Sequence, residues 1–294
     1  MDAPLAARIA ACTGRGVRAA RRVEGGYTPA ARWVVTLDDG ATVFAKVATA
    51  ANVARWLRDE HLAYQTIRAD CMPAFVGWDD DGAAPILLLE DLSGAHWPPP
   101  WTPRQVEAVR AALGRLADTP PPAHLRDVAE DREALTGGWR RVAAEPEPFL
   151  GLGLCSAAWL ARALPRLCDA EAAAPIDGDD CLHLDVRSDN ICLVGERAVL
   201  VDWNWACRGN RALDLAGWAP SLHFEGGPAP EALLPDAAPL AAAISGYFAS
   251  QAGLPTIPTA RRVRSIQRAQ LTTALPWAAR ALGLPGLGGG NAGR

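Results

Sequence analysis

The feature that most constrains this chain is the stretch of residues 181–205, which reads CLHLDVRSDNICLVGERAVLVDWNW. It combines the spacing H-x-D-x-x-x-x-N with two short apolar runs and a final acidic residue. The polar residues of interest are His183, Asp185, Asn190 and Asp202. A loop with this spacing, followed by two runs with strand character, is expected to bring several oxygen-bearing side chains together.

The two apolar runs, 191–194 and 198–201, are rich in branched residues and flank a turn that contains glycine. This pattern predicts a β-hairpin. A hairpin brings its two ends together, so we expect Asn190 and Asp202 to lie close, with Asp185 on the loop that leads in. Oxygen ligands of this kind suit Mg²⁺, which takes one or two carboxylates and completes its shell with water and phosphate oxygens.

Length and composition exclude several classes of protein. The chain has 294 residues, 50% of them hydrophobic, and a formal net charge of −4. This length and hydrophobic fraction are enough for one large domain or two lobes. The acidic balance predicts neither nucleic acid nor an anionic membrane as a partner. No apolar run is long enough for a transmembrane helix, and the N-terminus lacks the apolar core of a signal peptide. We therefore expect a cytoplasmic protein.

The basic residues are almost all arginine: of 29 Lys and Arg residues, Lys46 is the single lysine. Arginine is a planar fork, whereas lysine is a compact point charge on a flexible stem. A site that needs a compact ammonium against phosphate oxygens would retain lysine, although chance survival of one surface lysine is the simpler alternative. Residues 42–48 read as a strand with Lys46 among apolar neighbours.

The N-terminal third predicts a small antiparallel sheet with one amphipathic helix that carries Glu60. A short helix opens the chain, and Gly25-Gly26 and Asp39-Gly40 mark tight turns between the first strands. The predicted strands are 17–23, 33–37, 42–47, 74–78 and 86–89, and the predicted helix is 52–68, with Asn52 as its N-cap.

The rest of the chain is mainly helical. A Pro-rich connector precedes a helix that is capped by Thr102 and runs to about residue 117. Further helices are predicted at 125–136, 156–172, 211–222, 235–251 and 259–282, and residues 283–294 form a Gly-rich tail that we expect to be flexible. These patterns give an α+β fold with a sheet-containing first lobe (1–92), a helical second lobe (93–282) and the tail.

The order of these features resembles the aminoglycoside phosphotransferase family, the small-molecule branch of the protein-kinase-like fold. The resemblance covers roughly residues 17–280 and rests on HLDVRSDN followed by VDWNWACRGNRALDLA. It implies a two-lobed enzyme that moves the γ-phosphoryl group of ATP or GTP, with Mg²⁺, to a hydroxyl of an aminoglycoside-like, sugar or amino-alcohol acceptor. It leaves open whether the enzyme is a monomer or a homodimer.

Site roles follow from the resemblance, position by position. Asp185 would be the base and Arg187 would neutralise charge on the transferred group. Asn190 and Asp202 would hold Mg²⁺. The remaining roles are phosphate binding by Lys46 braced by Glu60, adenine binding by the backbone of Glu90 and Leu92, and support of the loop by His183 and Asp214.

Three positions depart from the family pattern H-G-D-x-H-x-x-N and D-W-E: Leu184 replaces the glycine, Arg187 the second histidine and Asn204 the glutamate. A cationic aminoglycoside needs an acidic pocket, because each desolvated ammonium must be paired. The acidic candidates Glu225, Glu231 and Asp236 lie in a Gly/Pro-rich loop, where a solvated rim is an equal alternative. Arg261, Arg264 and Arg268 follow helical spacing, with a solvated face as the default and an anionic ligand as the alternative.

Two other functions fit parts of the sequence. The chain would be a catalytically idle, kinase-like nucleotide-binding module if its catalytic residues no longer turned over substrate. His183, Asp185 and His223 also match the 2-His-1-carboxylate set of non-haem iron enzymes, although the helical pattern between them does not fit the β-barrel expected for such ligands.

Overall fold

A computed structural model describes residues 1–24 and 29–287 of the chain. The predicted Gly25-Gly26 turn and the last part of the predicted tail, residues 288–294, lie outside the described residues. Residues 283–287 are described. There the Pro285 carbonyl accepts a 2.8 Å hydrogen bond from the indole of Trp159.

The described elements, labelled in chain order, comprise short strands and helices. The helices are α1 (Ala3–Thr13), α2 (Ala51–Thr66), α3 (Pro103–Ala117), α4 (Arg132–Thr136), α5 (Gly138–Ala144), α6 (Glu147–Leu150), α7 (Ala157–Ala172), α8 (Ala212–Phe224), α9 (Pro230–Leu233), α10 (Ala238–Ala252) and α11 (Val263–Ala281). The strands are β1 (Val17–Arg22), β2 (Ala31–Leu37), β3 (Thr42–Val47), β4 (Phe75–Asp79), β5 (Ile86–Glu90), β6 (Asp180–Leu182), β7 (Ile191–Val194), β8 (Arg197–Leu200) and β9 (Cys207–Gly209). None of the helices in the described residues is long and apolar enough to span a bilayer.

The chain forms two compact units, each assembled from two segments. The first contains Met1–Pro98 and Asp189–Ala206, so the β7–β8 hairpin groups with the N-terminal sheet. The second contains Pro99–Ser188 and the chain from Cys207 onwards.

In the first unit, a five-stranded antiparallel sheet has the order β1-β2-β3-β5-β4. The strands form because branched and aromatic residues alternate with polar ones, and the apolar side chains of β2 and β3 pack against α1 and the sheet's own core. The core residues are Ile9, Val35, Leu37, Val43, Ala45, Val47, Ile86 and Leu88. The predicted antiparallel sheet with its amphipathic helix is confirmed.

The prediction that Asn52 caps α2 is wrong. The helix already begins at Ala51, and the N-cap residue Ala50 has extended backbone and no side-chain cap hydrogen bond. The apolar face of α2 holds the helix instead, since Val53, Leu57 and Tyr64 are buried.

The second unit is helical, as predicted, around a core that includes Trp139, Phe149, Trp159 and Trp277. Thr102 caps α3 with a full capping box, in which Gln105 bonds back to the Thr102 backbone. Two predicted helices need correction, and one helix was not predicted. The segment 125–136 contains a 3₁₀ turn and only a short α4, residues 138–144 form the unpredicted α5, and α11 begins at Val263, which leaves Arg261 outside the helix.

Candidate active site

Lys46 lies on β3 and is buried in the first unit, opposite Leu87 of β5. Its Nζ is 2.6 Å from the Oε2 of Glu60, which projects from α2 and is also buried. Nζ also donates to the carboxylate of Asp202. The single lysine is therefore held by two carboxylates, and it is not a surface residue.

Lys46, Glu60 and Asp202 affect one another's pKa values. Burial opposes the ammonium of Lys46, but the carboxylates of Asp202 and Glu60 outweigh that effect and raise the pKa of Lys46 above its ordinary value. Burial raises the pKa of Glu60, and repulsion from the Asp202 carboxylate adds to this effect. The ammonium of Lys46 lowers the pKa of Glu60, but it does not outweigh the other two effects, since it is shared between two carboxylates. The group carries one surplus negative charge when all three residues are ionised, and so it favours a further cation.

The hairpin brings Asn190 and Asp202 together as predicted. Strands β7 and β8 pair in the register Ile191 to Leu200, and the Val201 N–H donates to the Asn190 carbonyl over 2.9 Å. Asp202 itself adopts a left-handed backbone with φ 68°, a conformation that costs energy for a residue other than glycine.

The side-chain oxygens of Asn190 and Asp202 are suitable ligands for a hard divalent cation. An amide oxygen and a carboxylate at adjoining strand ends match the few protein ligands that Mg²⁺ takes alongside phosphate oxygens and water. The part of the chain that the structure describes contains no group of three or more His, Cys, Asp or Glu side chains able to hold a metal ion. A cation held by Asn190 and Asp202 would complete its coordination shell with oxygens from outside the protein, such as those of water or phosphate.

The connection after β5 supplies the predicted backbone groups. The Glu90 N–H donates to the Ala74 carbonyl, and the Leu92 carbonyl accepts from the indole of Trp97 over 3.2 Å. Within residues 1–24 and 29–287, the Leu92 N–H has no hydrogen-bond acceptor. Arg197 of β8 donates to both Glu90 carboxylate oxygens, at 2.7 and 2.9 Å. This contact could not be predicted from the sequence, because no local pattern links two residues 107 positions apart.

The loop with Asp185 belongs to the second unit and is held from α8. The Asp214 carboxylate accepts the N–H groups of His183 at 2.9 Å and Leu184 at 2.8 Å. The Asp185 N–H donates to the ring Nδ1 of the fully buried His183 over 3.2 Å. Burial, with a further contribution from Asp185, raises the pKa of Asp214 to about 6, although the two backbone bonds oppose the shift.

Leu184 has a φ of 61°, in the left-handed region. The glycine that the family pattern carries at this position would adopt this backbone without steric cost. Leu184 adopts this strained backbone conformation, and its partly buried side chain packs against the core of the second unit. The departure from the family pattern thus leaves the loop backbone in a glycine-like conformation.

Asp185 forms an ion pair with Arg187, with 3.2 Å between Oδ1 and Nε. Both charges act on the phenol of Tyr247 on α10, which is not among the predicted site residues. No local pattern indicates a role for Tyr247, since it is 62 residues after Asp185 in the chain and in a run of small apolar residues.

The predicted residues divide between the two units. The first unit holds the nucleotide and metal candidates: Lys46, Glu60, Glu90, Leu92, Asn190 and Asp202. The second holds the loop with its supports: Asp185, Arg187, His183 and Asp214. His183, Asp185 and His223 do not form a metal-binding group among the described residues, which removes the basis of the iron-enzyme alternative.

Comparisons with known proteins identify the family of the chain. The sequence matches the family model described as the phosphotransferase enzyme family over residues 16–275. No curated protein matches it significantly.

Several solved structures have a similar fold. A spectinomycin phosphotransferase in complex with ADP and spectinomycin has a TM-score of 0.63 and 11% identity, over 95% of this chain and 97% of that one. A choline/ethanolamine kinase family protein from Mesorhizobium loti has a TM-score of 0.59 and 17% identity, over 95% and 97% of the two chains. An amicoumacin kinase in complex with AMP-PNP, Ca²⁺ and Ami has a TM-score of 0.54 and 10% identity, over 92% of this chain and 93% of that one. At these identities the likeness shows a common kinase-like fold, and together with the family match it identifies the chain as a member of the phosphotransferase enzyme family and thus a phosphotransferase.

Proposed function

We propose that the protein is a nucleoside triphosphate-dependent O-phosphotransferase that moves the γ-phosphoryl group to a hydroxyl of a small molecule. The observation that carries this proposal is the buried Lys46, held between Glu60 and the Asp202 carboxylate at the end of the hairpin. A buried ammonium between two carboxylates is a costly arrangement for stability alone. It is suited to a nucleotide site, where Lys46 binds the α- and β-phosphates and Glu60 fixes its direction.

The metal ligands in this proposal are Asn190 and Asp202. When bound, Mg²⁺ supplies charge neutralisation on the phosphate oxygens. Asp202 then serves the cation as well as Lys46, in keeping with the surplus negative charge of the buried group. The structure of the amicoumacin kinase, which contains AMP-PNP and Ca²⁺, supports the use of a nucleotide and a divalent cation by this fold.

The adenine of ATP is assigned to the connection after β5, where the Leu92 N–H and the backbone of Glu90 bind the base. The bond pattern supports this assignment, because the Glu90 side chain is fixed by Arg197 and the Leu92 N–H has no acceptor within the described residues. GTP stays an alternative donor.

In the transfer step, the acceptor hydroxyl oxygen forms a bond to the γ-phosphorus while the bond from that phosphorus to the β–γ bridging oxygen breaks. The bridging oxygen leaves with the electron pair as part of the nucleoside diphosphate, and the hydroxyl proton passes to the carboxylate of Asp185. Arg187, ion-paired with Asp185, stabilises negative charge on the transferred group. His183 and Asp214 hold the loop backbone through the bonds described above.

The wider predictions are part of the same proposal. Lobes 1–92 and 93–282 bind nucleotide and acceptor respectively, the enzyme works in the cytoplasm as a monomer or homodimer, and its partners are small hydroxylated molecules. The spectinomycin phosphotransferase, whose structure contains ADP and spectinomycin, supports the general class of acceptor.

The experiment is a turnover assay with ATP or GTP and Mg²⁺ over a panel of aminoglycosides, macrolides, amino sugars, choline and homoserine. Mass spectrometry would detect the phosphorylated acceptor, and EDTA and Asp202→Asn serve as controls. We expect one class of acceptor to give product that both controls abolish. Nucleotide binding without product from any acceptor would favour the idle nucleotide-binding module, and absence of nucleotide binding would contradict the proposal.

A further inference from the structure

The second unit contains a cluster of arginines around one turn of α10. From α11, Arg264 donates to the Gln251 side chain at 3.0 Å, and from α5, Arg141 approaches the Ser250 hydroxyl at 3.5 Å. The Ser250 hydroxyl in turn donates to the Tyr247 carbonyl at 3.0 Å. Two guanidinium groups from different helices therefore meet at the turn of α10 that begins with Tyr247.

Arg264 is half-buried, and among the described residues the acceptors of its hydrogen bonds are neutral oxygens. Its Nε donates to the Pro255 carbonyl at 3.3 Å, and its Nη1 donates to the side-chain oxygens of Gln251 at 3.0 Å and Gln267 at 2.9 Å. In residues 1–24 and 29–287, no carboxylate pairs with this guanidinium, and its Nη2 donates to nothing. The group is positioned in advance, with its charge uncompensated and two N–H donors unused.

Arg141 adds a further donor. Its Nη1 and Nη2 bind the carbonyls of Glu133 and Ala134, and the exposed Glu133 carboxylate lies 3.5 Å away. Its Nε is buried and has no hydrogen-bond partner among the described residues. A buried donor without an acceptor costs free energy that a ligand oxygen would recover.

The cluster is electrostatically connected to the proposed base. Burial raises the pKa of Tyr247, and the carboxylate of Asp185 adds to this, while the guanidinium groups of Arg187, Arg264 and Arg141 act in the opposite direction. All four charges are therefore within interaction range of one phenol. Three of these four charges, those of the arginines, are positive.

Two of the three acidic residues that would suit a cationic acceptor, Glu225 and Glu231, are already engaged. Glu225 accepts the indole N–H of Trp101 at 2.9 Å, and Glu231 pairs with Arg280 at 2.7 Å. Neither supplies an unengaged acidic group for an ammonium.

We propose that the acceptor is an anionic hydroxy compound, whose carboxylate or phosphate group binds Arg264 and Arg141 beside Tyr247 while its hydroxyl faces Asp185. The planar fork of arginine matches both oxyanions in bidentate geometry. The inference rests on the proposed phosphotransfer function, because it assigns the chemistry of the acceptor to the same site.

The test uses acceptor sets with one carbon skeleton and different charge: gluconate, glucitol and glucamine, and glycerate, glycerol and 3-aminopropane-1,2-diol, with glycerol 3-phosphate as the phosphate arm. Turnover with ATP and Mg²⁺ is measured, and binding of each compound to the AMP-PNP-loaded enzyme is measured by calorimetry. We expect the anion of a set to bind about 10- to 100-fold more tightly than its neutral partner, the range expected for hydrogen bonds to a charged group. Comparing the affinities for glycerate and glycerol 3-phosphate shows whether the site prefers a carboxylate or a phosphate group.

Arg264→Gln should abolish the tighter binding of the anion, while the affinity for the neutral compound stays the same. The matched control is Arg268→Gln, one turn further along α11, where an exposed arginine donates to the Leu152 carbonyl at 3.3 Å. Equal loss in both variants would indicate a general charge effect and overturn the assignment of Arg264.

The outcomes separate this inference from the function on which it rests. Turnover or tighter binding of the neutral or cationic members contradicts the anionic acceptor but leaves phosphotransfer intact. Absence of saturable anion binding in every set also overturns the inference. Anion binding that depends on Arg264, without turnover of any anion and without nucleotide binding, would retain the anion site and contradict phosphotransfer.

Discussion

The Nζ of Lys46 lies 2.6 Å from the Oε2 of Glu60, and both side chains are buried in the first unit. The ion pair thus joins strand β3 to helix α2, and Asp202, at the end of the hairpin, accepts a further hydrogen bond from Lys46. The pair gives a reason for lysine at this one position in a chain with 29 basic residues, because an ammonium is a compact point charge on a flexible stem, whereas a guanidinium is a broad planar fork.

Lys46→Arg should therefore lower kcat/KM for the nucleotide by about 100-fold, the scale for loss of one positioned donor in an active site. Steady-state kinetics at varied ATP would measure it, with circular dichroism to check the fold. Arg22→Lys, on the exposed edge strand β1 of the same sheet, is the control for an Arg/Lys exchange and should be neutral. Full activity of Lys46→Arg would mean that the lysine survived by chance.

The Asp214 carboxylate holds two consecutive N–H groups of the loop, those of His183 and Leu184. Asp214→Ala leaves both donors buried without an acceptor, so we expect the free energy of unfolding to fall by about 1–3 kcal/mol. Turnover should fall as well, because the loop carries Asp185. Asp214→Asn retains one acceptor and should have an intermediate effect in denaturant unfolding and in kcat. An Ala variant with wild-type kcat would show that the loop is positioned without this carboxylate.

Leu184, at φ 61°, offers a test of backbone strain. The left-handed region costs about 1–2 kcal/mol for residues with a Cβ, and more when the side chain is β-branched. Leu184→Gly relieves this cost but loses packing, whereas Leu184→Val keeps more packing and raises the strain. We expect the Val variant to be the less stable of the two by about 1 kcal/mol in denaturant unfolding. The reverse order would mean that packing of the side chain outweighs the backbone conformation.

Glu171 of α7 is fully buried and accepts the N–H groups of Gly138 and Trp139, each at 2.9 Å, at the start of α5. Burial raises its pKa from 4.5 to about 7, against the effect of these two bonds and of Arg141 and Arg140. Since the folded state binds the proton more tightly than the unfolded state, this contribution to stability is complete below about pH 4.5 and is lost as the pH rises through about 7.

The predicted loss is about 3 kcal/mol between those limits, at about 1.4 kcal/mol for each unit of pKa difference. Denaturant unfolding from pH 5 to 8 would measure it as a decrease in the free energy of unfolding. Glu171→Gln, which keeps one acceptor and cannot ionise, should have a flatter profile. Parallel profiles for the two proteins would mean that Glu171 does not titrate in this range.

Local patterns were sufficient for much of the fold and part of the candidate site. Branched residues around a Gly-containing turn predicted the hairpin, and the run 191–194 coincides with β7. The capping signal of Thr102 predicted the start of α3. Lys46 stood out because composition made it unique, and its burial among apolar residues followed from the strand pattern.

What the sequence did not predict depends on distant contacts. Helix α5 begins with glycine, and its N-terminus is capped by Glu171, 33 residues away in the chain. The same holds for Tyr247, which experiences the charge of Asp185 only because α10 packs in the second unit. Asn52 had the residue type of a cap, but the buried apolar face of α2 set the helix start instead.

The most direct test of the central claim compares wild type with Asp185→Asn, using nucleotide affinity by calorimetry and phosphorylated product by mass spectrometry. If Asp185 accepts the hydroxyl proton, the variant should bind ATP with unchanged affinity while turnover falls by about 10²- to 10⁴-fold, the range for loss of a general base. Unchanged turnover in Asp185→Asn would contradict the assignment of the base.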